Sequence, residues 1–299
     1  MKTETTNTTV IYHRADFDGH FSAAVCQKFL PRDTNFIGWD FGDPIVNVDG
    51  DGLVYIVDLP PSCAHLENEA NLIWIDHHKS SIEKFNSNIA GYRVDGVAAC
   101  RLCWQYFSQG AFGNGTELVL PNVNDYVERR VVEPYALTLA GEYDVWDLRN
   151  SNALPFQYGL VSNSYEFTNG LHALLDCDDI ALDKIISDGC AALIWQTQFA
   201  LQALKERCYV REWEGEVFCV LASVHARSSL WFPEAGIPKE CTAVMAWRYD
   251  GASVKFSLYH VPWNTGVDLS QIASKYGGGG HAGACGFEMP IEDAIAIVK

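Results

Sequence analysis

The strongest constraint on this chain is a local pattern repeated within its first eighty residues. Short, β-branched apolar runs are each followed at once by a metal-type polar side chain. Val10-Ile11-Tyr12 ends in His13, Leu53-Val54-Tyr55-Ile56-Val57 ends in Asp58, and Leu72-Ile73-Trp74-Ile75 ends in Asp76-His77-His78. Runs this short, without polar alternation, suit strands of a parallel sheet covered on both faces. Between them, Phe17 to Leu30 reads as a helix stopped by Pro31, and Asn35 to Trp39 as another strand. The alternation predicts an α/β domain. In such sheets the carboxyl ends of the strands line one edge, where ligands bind. His13, Asp58 and Asp76 are therefore expected to converge.

Further along, Ala98 to Phe107 reads as an apolar helix, and residues 121–147 as helices with loops. Asn150 to Asn163 reads as a polar stretch. Ile180 to Arg207 carries apolar positions at helical spacing with no proline, which predicts one long helix. Beyond Tyr209 the pattern changes. Val217 to Leu221, Thr242 to Trp247 and Val254 to Tyr259 are strand candidates, and a helix from Leu269 to Tyr276 runs into Gly277-Gly278-Gly279-Gly280-His281. The expected organisation is a catalytic domain over 10–180, a connecting helix over 181–208 and a smaller α/β domain over 209–299.

Composition narrows the function. The 299 residues suit two domains better than one. A net charge of −17 repels long duplexes, whose phosphates need Lys and Arg footprints, yet leaves room for a short nucleotide held locally. Bound metal ions would supply the positive charge the chain lacks. No apolar run approaches a membrane span. The first residues are polar and Thr-rich, which reads as a loose tail and not a secretory segment. Ten scattered cysteines suit reduced thiols and a cytoplasmic location, and the Cys100/Cys103 pair reads as buried structural thiols.

Four constellations carry the chemistry. His13-Arg14-Ala15-Asp16-Phe17-Asp18-Gly19 puts an imidazole and two carboxylates at a strand-to-helix turn. Metal binding and helix capping by Asp16 are equally good readings there. Asp58 closes a buried strand, which is costly for an unpaired carboxylate, although Asp also initiates turns before proline. Asp76-His77-His78 offers ring nitrogens for metal and phosphate, with a carboxylate able to fix a tautomer. Glu142-Tyr143-Asp144-Val145-Trp146-Asp147 offers three carboxylates, and spacing does not choose among them. A set of imidazoles and carboxylates suits Mn²⁺ or a similar divalent ion better than structural zinc.

Together, His13…Asp16-x-Asp18-Gly19, Asp58, Asp76-His77-His78 and the acidic segment at Asp144 resemble the DHH phosphoesterase family. Val267-Asp268-Leu269-Ser270-Gln271-Ile272-Ala273 followed by Gly277 to Phe287 is similar to the glycine-rich signature of the DHH-associated C-terminal domain. The resemblance runs from about Val10 to Phe287. It implies a parallel-sheet DHH domain joined by the long helix to the smaller domain, with the active site in the cleft between them. It implies two divalent ions, expected as Mn²⁺, with Mg²⁺ or Co²⁺ as alternatives. His13, Asp16 and Asp58 would hold one, and Asp18, Asp58, His77 and Asp144 the other, with Asp58 bridging. Asp76 and His78 would be catalytic, Asp76 orienting the histidines and His78 meeting the scissile phosphate. Gly278, Gly279, Gly280 and His281 would hold substrate. Two residues separate His13 from Asp16 where several relatives have three, which leaves the roles of Asp16 and Asp18 open. Ser257-Leu258-Tyr259-His260 stands where many relatives carry Ser-Leu-Arg-Ser, making His260, Lys275 or Arg227 candidates for the missing cationic contact.

The expected function is a two-metal phosphodiesterase, an oligoribonuclease-like exonuclease or hydrolase of linear or cyclic dinucleotides. Trp231, Phe232, Trp247 and Trp263 are candidate base-stacking residues. An inorganic pyrophosphatase or exopolyphosphatase is the alternative enzyme, disfavoured by the few Lys and Arg in the second half; a non-catalytic nucleotide binder is the third reading. An exposed sheet edge would allow a homodimer.

Overall fold

The computed structural model describes residues 8–48, 51–66, 69–85, 88–110, 122–127, 131–222 and 228–298. The N-terminal tail over 1–7 and Arg227 lie outside them. The chain divides into two compact units, Met1–Ala192 and Leu193–Lys299.

The first unit is built on β1 (Thr9–His13), β2 (Asn35–Trp39), β3 (Val46–Val48), β4 (Val54–Val57), β5 (Ala64–Leu66) and β6 (Leu72–Ile75). Four of these make a wholly parallel sheet in the order β2-β1-β4-β6, and β3 pairs with β5 separately. Alternate residues face opposite layers. Val10, Tyr12, Tyr55, Val57 and Ile75 turn into one core, and Ile11, Val54, Ile56, Leu72 and Trp74 into another. Burying each large side chain contributes about 1.5–3 kcal/mol.

The first unit also holds α1 (Phe17–Phe29), α2 (Lys79–Lys84), α3 (Ala99–Gln105), α4 (Val123–Val127), α5 (Tyr135–Asp144) and α6 (Ala153–Ser162), of which α1, α3, α5 and α6 supply most of the helical side chains of the larger core. Helix α6 lies within Asn150 to Asn163, which read as a polar stretch, and one of its faces is apolar. Ala153, Phe156 and Leu160 recur at helical spacing and are buried, and Pro155 falls in the first turn, where its missing N–H costs nothing. Helix α7 (Asp179–Arg207) is the expected long helix, and the boundary between the units falls inside it.

The second unit is a six-stranded sheet of β7 (Tyr209–Trp213), β8 (Glu216–Ala222), β9 (Ala243–Tyr249), β10 (Ser253–His260), β11 (Gly279–His281) and β12 (Ala284–Pro290), in the order β11-β12-β10-β9-β8-β7. Only the β8–β9 pair is parallel. Helices α8 (Leu269–Lys275) and α9 (Ile291–Val298) pack on it. The glycine run is partly structural. Gly277 N–H meets Ser274 O at 3.1 Å and Gly278 N–H meets Ala273 O at 3.0 Å, which ends α8 in a Schellman turn with Gly277 at φ +77°. No helix among the described residues is long and apolar enough to cross a membrane.

One glycine sets the geometry of the first unit's polar edge. A Cβ on Gly19 would lie 1.9 Å from the His13 carbonyl oxygen, so α1 can start against the end of β1 only without a side chain there. Gly19→Ala is expected to destabilise the protein by roughly 3 kcal/mol, since backbone must move to relieve the overlap. A denaturant midpoint equal to that of the unchanged protein would contradict this.

Candidate metal centre

Strand register explains why the polar residues meet. Tyr12 pairs with Val57 and Val57 with Ile75, so His13, Asp58 and Asp76 stand at one level along the edge of the sheet. His13 pairs with Trp39, which puts Asp40 one step further on the neighbouring strand. All four strands of the sheet thus run into a His or an Asp.

Asp58 is the middle of the arrangement. It is 1 % exposed, and its backbone is left-handed at φ +58°, uncommon for a residue with a side chain. Its amide still donates to Ile75 O at 2.9 Å. Its two carboxylate oxygens face different neighbours. Oδ2 lies 3.3 Å from His13 Nδ1, which is also 2.8 Å from Asp16 Oδ2. Oδ1 lies 3.5 Å from His77 Nε2, and that nitrogen is 3.5 Å from Asp18 Oδ2 and 3.3 Å from Asp144 Oδ2.

Two donor sets result, His13 with Asp16 and Asp58, and Asp18 with His77 and Asp144; a further grouping joins Asp58 with His77 and His78. The six residues named as metal ligands from the sequence are all at this centre. Asp16 and Asp18 fall into different sets. Asp16 also caps α1, accepting from Gly19 N–H at 3.0 Å, so the capping role sits beside its place in the first donor set. Asp18 accepts from Ala99 and Cys100 N–H at 2.7 and 2.8 Å, at the start of α3. Among the three carboxylates after Gly141, Asp144 faces the centre. Glu142 accepts from Asn150 N–H and Asp147 takes a salt bridge from Arg149.

Asp76 is fully buried and works through its neighbours. Its Oδ1 accepts from His77 N–H, His78 N–H and His78 Nδ1–H, the last at 2.7 Å. That bond fixes the His78 tautomer and leaves Nε2 as the ring atom not engaged by Asp76.

The electrostatics fit a pair of cations. Burial, then the nearby Asp18 and Asp16 charges, push the Asp58 carboxyl well above its ordinary range. Burial and Asp18 do the same to Asp144. Burial opposes a charge on His13, but hydrogen bonds and charge from Asp16 and Asp58 outweigh it and push the imidazole up to about 11. His77 and His78 are raised as well, His77 against burial by Asp18 and Asp144, His78 chiefly by its bond to Asp76. Without cations Asp58 and Asp144 therefore hold protons more tightly than an ordinary carboxyl. Asp58 Oδ1 and Asp144 Oδ2 are buried and accept no hydrogen bond, as expected of atoms shaped to ligate. Adjacent ligands about 2.1 Å from one ion lie about 3 Å apart, close to the spacings here.

Sequence reasoning missed Asp40, whose Oδ1 lies 3.4 Å from His13 Nε2. The same strand-end signal would have found it. The residues named in the second unit are more mixed. Gly279 to His281 form the exposed strand β11. His260 Nε2 is bonded to Val267 O at 2.6 Å and Lys275 pairs with Glu214 at 2.5 Å, so both candidates for a cationic contact are already engaged. Phe232 is a core residue, and Lys239 covers the Trp263 ring at 3.8 Å.

No family model matches the chain, and no curated protein matches it in sequence. Solved structures do. A pGpG-specific phosphodiesterase from Vibrio cholerae superposes with a TM-score of 0.54 at 16% identity, over 97% of this chain and 96% of that one. The DHH domain of a protein assigned to a family of ribosomal proteins gives 0.54 at 13% identity, over 98% and 84%. The chain has the DHH fold. RecJ of Thermus thermophilus, in complex with Mn²⁺, gives 0.51 at 14% identity, and this chain spans about half of it (98% and 51%).

A carboxylate conflict resolved by cations has a thermodynamic signature. Asp58→Asn, which keeps a residue tolerant of left-handed backbone, is expected to raise the melting temperature of chelator-treated protein by about 2–4 °C. The unchanged protein should gain about 2.7 kcal/mol at an Mn²⁺ concentration 100-fold above its dissociation constant, and Asp58→Asn should lose that gain. An Mn²⁺-induced shift that survives in Asp58→Asn would remove Asp58 from the centre.

Proposed function

We propose that this DHH-fold chain is a metal-dependent phosphodiesterase acting on dinucleotides and other very short oligonucleotides. The observation that carries the reading is the single buried carboxylate of Asp58 with its two oxygens turned to two separate sets of His and Asp donors. A phosphoryl-transfer centre needs positive charge on both sides of the reacting phosphate, and the protein provides donors for it in that arrangement.

His13, Asp16 and Asp58 would hold one divalent ion, and Asp18, Asp58, His77 and Asp144 the other. Bound there, the ions supply a water of lowered pKa and offset the charge of the phosphoryl oxygens. The mixture of imidazole and carboxylate favours Mn²⁺. The protein's own work is positioning. Asp76 holds His78 by Nδ1–H, so the ring's Nε2 can meet a phosphoryl oxygen. Asp18, tied to two amides at the start of α3, keeps its free valence toward His77.

A surface with a net charge of −17 disfavours long polyanions. The similar structure from Vibrio cholerae is a pGpG-specific phosphodiesterase, which supports a dinucleotide substrate here. Gly279 to His281, exposed on β11, are the proposed substrate contacts of the second unit.

With Mn²⁺ present, a 5′-phosphorylated dinucleotide is expected to yield mononucleotides, and EDTA should stop the reaction. His78→Ala should lower kcat by about 100-fold or more, the usual scale for a positioned group at the reacting centre. Product analysis by chromatography decides the reading. Phosphate released from pyrophosphate with dinucleotides left intact would replace it with the pyrophosphatase alternative.

A further inference from the structure

The turn after β2 holds a large apolar ring in water beside the metal centre. Phe41 is 62 % exposed, among the most exposed of the large apolar side chains. Its ring lies edge-on to His13 at 5.8 Å and to Trp39 at 5.5 Å between centroids. A single exposed apolar ring is ordinary by itself, so its setting is what matters. This turn is braced. Asp43 N–H meets Asp40 O at 3.0 Å, Asp43 Oδ2 accepts from Asp40 N–H at 2.9 Å, and Asp40 Oδ1 accepts from Phe41 N–H at 2.7 Å. Arg14 grips both Asp43 oxygens at 2.9 Å, and its amide donates to Trp39 O at 3.0 Å. Trp39 Nε1 donates to Pro44 O at 3.0 Å.

Arg14 is occupied by this brace. Its guanidinium pairs with Asp43 and so ties the end of β1 to the turn. The ring is what the brace presents. A ligand anchored by phosphate at the His13 donor set and carrying a planar apolar face would find Phe41 next to its anchor. Nucleobases have that form, and any base can stack on an aromatic ring regardless of identity.

We infer that Phe41 is a stacking platform for one nucleobase of the substrate and sets a preference for nucleotidyl phosphodiesters over those lacking that base. The inference rests on the phosphodiesterase reading above. It adds a selectivity element that acts in binding and leaves the chemical step alone.

The test is steady-state kinetics in Mn²⁺ with the unchanged protein, Phe41→Ala and Phe41→Trp. The substrates are a 5′-phosphorylated dinucleotide and its two analogues abasic at the first or second sugar. Phe41→Ala is expected to raise KM for the dinucleotide about 10- to 100-fold, the scale of one base-aromatic stack, with kcat within about threefold. Phe41→Trp should keep the KM. With one abasic analogue, Phe41→Ala and the unchanged protein should have the same KM, which identifies the stacked base. The Mn²⁺-induced rise in melting temperature should be equal in all three proteins. Equal KM values for the dinucleotide in Phe41→Ala and the unchanged protein, both turning over, would overturn the platform and leave the phosphodiesterase reading standing. A weakened Mn²⁺ response in Phe41→Ala would overturn it too, by making Phe41 a support for His13. An unchanged protein that cleaves no dinucleotide would sink both.

Discussion

The structure of the first unit turns on one buried carboxylate crowded by other carboxylates, with only imidazoles beside it among the described residues. Asp58 ends the central strand β4 in a left-handed conformation and stands between His13 and His77, with Asp16 and Asp18 adding like charge. Left to themselves these groups must take up protons or repel. Folding nevertheless fixes them, because the strands that carry them are among the most buried parts of the chain. The apolar sheet supplies the free energy and the polar edge consumes some of it, which is the usual relation between a scaffold and a strained functional site.

Much of this was legible in the sequence because it is local. An apolar run that stops at Asp or His reports both a strand and the side chain at its carboxyl end. Parallel pairing then brings the ends together without any knowledge of distant contacts. That logic located His13, Asp58 and Asp76, and the order β2-β1-β4-β6 shows why it works. Asp40 also follows a strand, Asn35 to Trp39, but that run is less apolar than the other three and carries the same signal more weakly. Helix α6 is weakly marked as well. Its Asn and Ser flanks suggest a loop, and the pull that makes it helical is the packing of Phe156 and Leu160 into a core assembled elsewhere.

The glycine run carries architecture that its reading as a substrate loop did not anticipate. Gly277 ends α8, and a Cβ on Gly278 would lie 2.1 Å from Gly286 O. A Cβ on Gly280 would lie 2.7 Å from Ala284 O. Gly279, by contrast, has open space around it. Sequence spacing cannot separate these roles, because the close approach of β12 that demands them is a property of the sheet.

The two donor sets differ in what holds them. His13 and Asp58 are carried by strands of the sheet, and Asp16 starts the helix that Gly19 lets rest on β1. Asp18 and Asp144 instead hang from the beginning of α1 and the end of α5, with α3 between them as the tie. Asp18 is bonded to the first amides of α3, and the next residue along that helix, Arg101, is buried in a salt bridge to Glu133 at 2.6 Å with its guanidinium 4.8 Å from the Tyr126 ring. The Arg101 side chain lies so close to Gly141 that a Cβ there would come within 2.3 Å, three residues before Asp144. Losing either partner of such a buried pair leaves an uncompensated charge. One set is therefore carried by the ends of β1 and β4 and the start of α1, while the other joins His77, which follows β6, to two helix residues whose elements are tied through α3.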